Sequence, residues 1–253
     1  MSKARKQSTS IGDHSVQTPF QGFPDKSIEL EVIVCSLDDA LAAYRGGATR
    51  LEITVRLDQG GLTPPVEMVR EIIQVVPVPV RVMLRHRADF SIKENAEIES
   101  LKWKAREFAG LNVEGLVTGH IKDGKLDLTT LEEIIKSAPK MRVTAHHAIE
   151  ATGDPLAALR ALRNFPTADR ALVSGGAGSL EQRIQRLSQY HEAIGPERFL
   201  IAGGNLSLDM LKLLRESTGI RIFHLGRAVR TPEEAGGRVE SEKVRRAAGL
   251  LGL

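Results

Sequence analysis

The chain has 253 residues, 42% of them hydrophobic and 26% charged, a balance that excludes disorder throughout. Of the +3 formal charge, Lys3, Arg5, Lys6 and Lys26 against Asp13 and Asp25 put +2 in residues 1–27; the near-neutral remainder, with 4% aromatics, gives no nucleic-acid footprint. There is no apolar run of about 18 residues to cross a membrane, and the single cysteine, Cys35, excludes a disulfide scaffold or cysteine zinc site and fits a cytoplasmic location.

Residues 1–27, rich in Ser, Gln, Lys and Gly and without periodicity, read as a disordered leader lacking the apolar core of a signal peptide. Phe20 and Phe23 are its candidates for packing on the body. From residue 28, β-rich runs alternate with amphipathic stretches. Strands are predicted over 28–34, 50–54, 80–84, 115–118, 142–145, 171–173, 199–202 and 221–224. Helices are predicted over 37–44, 66–75, 96–109, 128–138, 155–164, 180–193, 208–216 and 241–251. Ser36, Asp154, Ser179 and Ser207 occupy expected N-cap positions, and Gly46-Gly47 an expected C-terminal cap. Strict β-α alternation implies a parallel sheet with helical crossovers. Eight units match an α/β (β/α)₈ TIM barrel, a single domain over 28–253. An open doubly wound sheet would want glycines after its first strand, and Val32-Ile33-Val34-Cys35-Ser36 has none.

Barrels place their active face at the loops that follow the strands. Five of the seven histidines, His86, His120, His146, His147 and His224, lie at or just beyond strand ends; His14 and His191 do not. Strand alternation sets Glu31 on the face of Ile33, Glu52 with Thr54, Arg85 with Met83, and His146 with Thr144. Charged residues within strands must pair, ligate or catalyse. Glu31, Glu52, Arg85, His146 and His224 are therefore expected to converge at the barrel mouth. A structural network of ion pairs tying the strands together is the alternative. Arg85, Arg87 and Asp89 share one loop and read as an anion clamp, or as a self-paired surface loop. Gly203-Gly204-Asn205 and Gly226-Arg227 follow strands seven and eight, where barrels frequently bind phosphate; tight turns would also explain the glycines. Gly175-Gly176-Ala177-Gly178 after strand six would leave room for a ligand. Cys35 and His146 are formally a nucleophile–base pair, although a buried, inert thiol is the plainer reading.

Several motifs together resemble the CutC family of TIM barrels, named for copper homeostasis. They are Leu30-Glu31-Val32, the run from Gly46 to Glu52, Gly60-Gly61-Leu62-Thr63-Pro64, and the run from Leu84 to Phe90. Glu114 to Gly119, Asp123-Gly124, Val143 to Ala148, Ser174-Gly175, Gly203-Gly204 and Phe223-His224 complete the set, which spans about 28–228. The resemblance adds Ser174 to the candidate substrate-binding residues Arg85, Arg87, Asp89, Gly203, Gly204 and Gly226. It implies copper, or another divalent metal, as ligand. The family's proposed copper ligands are cysteines on the first two strands; the corresponding positions here are Ile33 and Thr54, and Cys35 is displaced by two residues. His147 stands where the family has Arg, and Glu150 where it has Asp. Without paired thiolates, weak Cu(I) binding is expected. The alternative function is an enzyme or binding protein for a phosphorylated or carboxylated metabolite, with Glu52, His146, Glu31 and His224 as candidate catalytic groups. The expected partners are a small molecule or metal ligand and a second copy of the chain, with no nucleic acid and no membrane.

Overall fold

A computed structural model describes residues 27–196 and 199–253. Phe20, Phe23, His14 and nearly all of the expected leader lie outside the described residues. Eight parallel strands close into a barrel: β1 (Glu29–Val34), β2 (Arg50–Ile53), β3 (Val80–Met83), β4 (Gly115–Thr118), β5 (Arg142–Ala145), β6 (Ala168–Val173), β7 (Phe199–Ala202) and β8 (Ile222–Leu225). Each strand pairs with its neighbours in sequence, and β1 closes on β8 with Glu31 opposite His224. Around it lie α1 (Leu37–Arg45), α2 (Val66–Val75), α3 (Asn95–Ala109), α4 (Leu128–Lys136), α5 (Pro155–Leu162), α6 (Leu180–Ile194), α7 (Met210–Thr218) and α8 (Ser241–Leu251). This is the expected (β/α)₈ barrel. No described helix is long and apolar enough to cross a membrane.

Alternation along each strand separates two interiors. Leu30, Val32 and Val34 of β1, with Leu51, Ile53, Val82, Val143 and Phe223, face outward and form the main core with the buried faces of the helices. The opposite parity faces the barrel axis. There Leu172, Ile201 and Ile222, backed by Phe199, form a separate apolar cluster on the β6–β8 side. The rest of the inner wall carries buried charged and polar side chains, with Ile33 and Met83 among them, and that is where the candidate chemistry sits.

Local caps follow side-chain chemistry. Ser36 Oγ accepts from the Asp39 N–H at 3.1 Å, and Asp154 Oδ1 from the Ala157 N–H at 2.9 Å, with Pro155 opening the helix. Ser179 and Gln182 form a reciprocal capping box. Ser207 is not a cap: α7 begins at Met210, preceded by Asp209, which makes no side-chain cap bond. β6 begins three residues before its predicted start, at Ala168. The polar pair Asp169-Arg170 masked that start, because polar residues inside a strand are expected only where they are paired.

Candidate functional site

The lower, N-terminal part of the barrel is filled by charge. Arg170 grips Glu29 through both terminal nitrogens at 2.9 and 3.1 Å, and Arg50 donates to the same carboxylate at 3.1 Å. Arg81, wholly buried, donates to both oxygens of Asp169 at 2.8 and 2.6 Å, to Glu114 at 2.9 Å and to Thr144 at 2.7 Å. Arg50 also pairs with Glu114. A strand-tying network therefore exists, but one layer below the predicted site and made of residues the sequence reading did not select.

Above it, Glu31 and His224 face one another across the β1–β8 closure. His224 Nδ1–H donates to Glu31 Oε1 at 2.7 Å, and Glu52 Oε2 lies 3.9 Å from the same nitrogen. All three side chains are buried. Burial opposes ionisation of Glu31, but the hydrogen bond and charge of His224, with Arg50 and Arg170, outweigh it and hold the acid at about 2. Burial pushes Glu52 up to about 7, the charge of Glu31 adding to the rise and His224 and Arg85 opposing it. Burial also disfavours the His224 cation, yet Glu52 and Glu31 raise its pKa above the ordinary value. One oxygen of each glutamate, Glu31 Oε2 and Glu52 Oε2, has no hydrogen-bond partner.

Arg85 enters from the end of β3. Its guanidinium is held by backbone carbonyls: Nη1 donates to Gly60 at 3.0 Å, and Nη2 bonds Ala88. The ring of Phe90 lies 4.6 Å beneath it. Thr63 fixes the backbone, its hydroxyl accepting from the Arg85 N–H at 2.8 Å and donating to the Arg85 carbonyl at 2.9 Å. No described carboxylate forms an ion pair with Arg85, and its Nε is buried without a partner. His146 follows β5 and stacks obliquely on Phe90 at 5.1 Å between centroids. Burial and the adjacent Arg85 charge drive its pKa well below the ordinary value, so its ring is neutral. Nδ1 accepts the Ala148 N–H at 3.3 Å, which leaves the proton on Nε2, a buried donor without a partner.

Glu52, Arg85, His146 and His224 line one cavity of about 360 Å³ at the C-terminal end of the strands, with Gly204 and Gly226. Glu31 lies behind this wall and acts on it through His224. Gly203 is not among the residues that line the cavity; a Cβ there would stand 2.6 Å from Leu172 Cδ1. Ser174 is turned to Glu150, which accepts from its N–H at 2.7 Å and its hydroxyl at 2.9 Å. Arg87 and Asp89 do not line this cavity. Arg87 turns away and pairs with Glu97 of α3, and Asp89 accepts from Ser91 at 2.8 Å. Each side chain is taken up by a partner outside the cavity, a carboxylate of α3 for Arg87 and a loop hydroxyl for Asp89. Nor do Cys35 and His146 pair: His146 lines the cavity and Cys35 does not.

The second arginine at the cavity is Arg227, whose Nη1 donates to Asn205 Oδ1 at 3.3 Å. Sequence reading named the glycines beside both residues without selecting them; their place after β7 and β8 was the available signal. His147 also borders the cavity and contacts Glu150 at 3.2 Å.

The only metal-capable cluster among the described residues is Glu31, Glu52 and His224, whose ligand atoms lie within 4.8 Å of one another. Two carboxylates and an imidazole suit a divalent ion and not Cu(I), which selects soft sulfur. Ile33, in the cavity wall, offers no ligand, and Thr54 spends its hydroxyl on the Leu62 carbonyl at 2.9 Å. Burial pushes the Cys35 thiol up to about 11, with the Arg230 charge opposing the rise and Asp39 and Glu52 adding to it.

Residues 28–229 match the sequence model of the CutC family. The family protein CutC of Xanthomonas campestris pv. campestris (strain 8004) is 31% identical over 198 residues, covering 77% of this chain and 81% of that protein. The human copper homeostasis protein cutC homolog is 29% identical over 222 residues, covering 87% of this chain and 80% of its own length. The crystal structure of the copper homeostasis protein CutC from Streptococcus agalactiae superposes with a TM-score of 0.73 at 19% identity, over 79% of this chain and 98% of that one. At that identity the likeness shows the shared barrel. The match across residues 28–229 places the chain in the CutC family.

Proposed function

We propose that the chain serves copper homeostasis, the role named for its human and mouse relatives, by taking up a divalent copper ion at Glu31, Glu52 and His224. The observation that carries this reading is the cluster itself: three buried donors within 4.8 Å of one another, with one oxygen on each carboxylate that accepts no hydrogen bond. Copper is cargo in this reading and is held by hard donors. Binding must displace a proton from the Glu52–His224 pair, so uptake weakens as pH falls. A lone free thiol fits a reducing compartment, and the reading takes the cytoplasm as the site of action.

Metal-free protein titrated with Cu(II) should take up one ion per chain, seen by its electron paramagnetic resonance signal. Glu52→Gln should remove that uptake, and Cys35→Ser should leave it unchanged. Tight Cu(I) uptake lost in Cys35→Ser, or no saturable Cu(II) uptake, would sink the reading.

A further inference from the structure

We propose that the barrel mouth also binds a small phosphorylated metabolite, with its phosphate at Gly204, Asn205, Gly226 and Arg227 and its organic part reaching Arg85 and His146. The inference goes beyond the copper reading and does not rest on it.

Charge is the first support. Arg85 is a buried cation held only by carbonyls and an aromatic face, and no described carboxylate pairs with it. Arg227, on another wall of the same cavity, is bound only to a neutral amide. Asp89 and Glu52 act on Arg85 at a distance without forming an ion pair with it, and an anion entering the cavity would add counter-charge there.

Shape is the second. The phosphate-side loops follow β7 and β8, and two of their residues are glycines with crowded Cβ positions. A Cβ on Gly204, whose φ is +74°, would stand 2.8 Å from Ser174 Cβ and 3.1 Å from His147 Cε1. One on Gly226 would stand 3.0 Å from Ile33 Cδ1. Both glycines line the cavity and carry no side chain, so their backbone is what a phosphate would meet there.

Donors are the third. His146 Nε2–H is buried, unpartnered and in the cavity wall, suited to a carbonyl or hydroxyl of the ligand. Ile33, Met83 and Leu172 give apolar contact between the two polar ends. The volume of about 360 Å³ sits near the lower end of the range for small-ligand sites, which suits a metabolite of a few carbons.

Glycerol 3-phosphate, glycerol and inorganic phosphate, titrated calorimetrically into full-length protein in the presence of a chelator, test this without copper. Glycerol 3-phosphate should bind saturably, at least tenfold more tightly than glycerol and than inorganic phosphate. Arg227→Ala should weaken it tenfold or more at an unchanged melting temperature, because Arg227 is exposed and its loss leaves the packing intact. His146→Gln should weaken glycerol 3-phosphate and leave inorganic phosphate unchanged. Equal affinity for the two phosphates would assign the loops to free phosphate and overturn the metabolite. No saturable binding of glycerol 3-phosphate at millimolar concentration, or full retention in Arg227→Ala, would overturn the site. Failure of copper uptake would leave each of these outcomes unaffected.

Discussion

Histidine protonation at single positions carries a whole-protein signature. His120 is buried beside Thr118, with 3.4 Å between Nε2 and the hydroxyl, and burial lowers its pKa to about 4. In an unfolded chain an imidazole titrates near 6.5. Between those two values the unfolded state binds the extra proton, so stability rises with pH across the window. It is fully present above about 6.5 and is lost on acidification toward about 4. The full effect is on the order of 3 kcal/mol, from about 1.4 kcal/mol per pKa unit. Urea denaturation at several pH values should show this slope, and His120→Gln should reduce it, leaving the part that buried His146 contributes. An unchanged slope in the variant would assign the effect to other groups.

Single residues also mark where sequence reading reaches and where it stops. Alternation and strand-end position located Glu52, Arg85, His146 and His224, because both rules act within four or five residues. Arg87 and Asp89 pass the same strand-end test, yet they lie outside the cavity. Their partners, Glu97 and Ser91, decide the direction of the side chains, and nothing in the spacing reveals that choice. The lower network of Arg50, Arg81 and Arg170 was hidden for a related reason. Its acids sit at strand starts or in the preceding loops, on other strands, so the pairing exists only once the barrel closes.

At the scale of an element, the Gly60-Gly61-Leu62-Thr63-Pro64 segment is a mount for Arg85. Two of its carbonyls accept from the guanidinium, and Thr63 locks the backbone of β3's exit. Gly61 has φ +92°, and a Cβ there would lie 2.8 Å from Thr54 Oγ1, so glycine is required. The motif was legible as a family signature, while its work for a residue 22 positions away was not. Thr63→Val keeps the shape and removes both hydrogen bonds. It should cost about 1–3 kcal/mol in urea denaturation, the range for a buried group left unsatisfied. It should also weaken glycerol 3-phosphate binding through Arg85. Thr63→Ser, which keeps the hydroxyl, should restore most of both; failure to do so would remove the mounting role. A comparable division of labour occurs after β4, where Asp123-Gly124, both at positive φ, turn the short hairpin Ile121–Lys122 with Lys125–Leu126.

For the whole molecule, polarity is graded along the barrel axis: paired arginines below, the glutamate–histidine group midway, the cavity above. Arg81→Ala leaves Asp169 without its strongest partner and weakens Glu114. It should cost roughly 3–5 kcal/mol, the usual penalty for breaking a buried ion pair from one side. Thermal melting will show the loss. Binding at the mouth, measured well below the lowered transition, should stay near that of the parent. A variant with unchanged stability would show that the network is neutral, and lost binding in the folded variant would show that the layers are coupled.

One contact sets the order in which the barrel can be finished. Arg230, beyond β8, donates to Asp39 at 2.9 Å and to the Ile33 carbonyl at 2.9 Å, joining the start of the barrel to its end across 191 and 197 positions. On the other side of that seam, α8 packs so closely on α1 that a Cβ on Gly46 would meet Val244 at 2.5 Å. During synthesis at about 5–20 residues per second, β1 therefore waits many seconds with one edge unpaired. Its partner β8 has not yet been made. The copper-ligand candidate Glu31 and the anion-facing loops at Gly204 and Gly226 come together only at that last step. A nascent chain has no site until β8 has been made, so ligand capture reports completed closure of the ring.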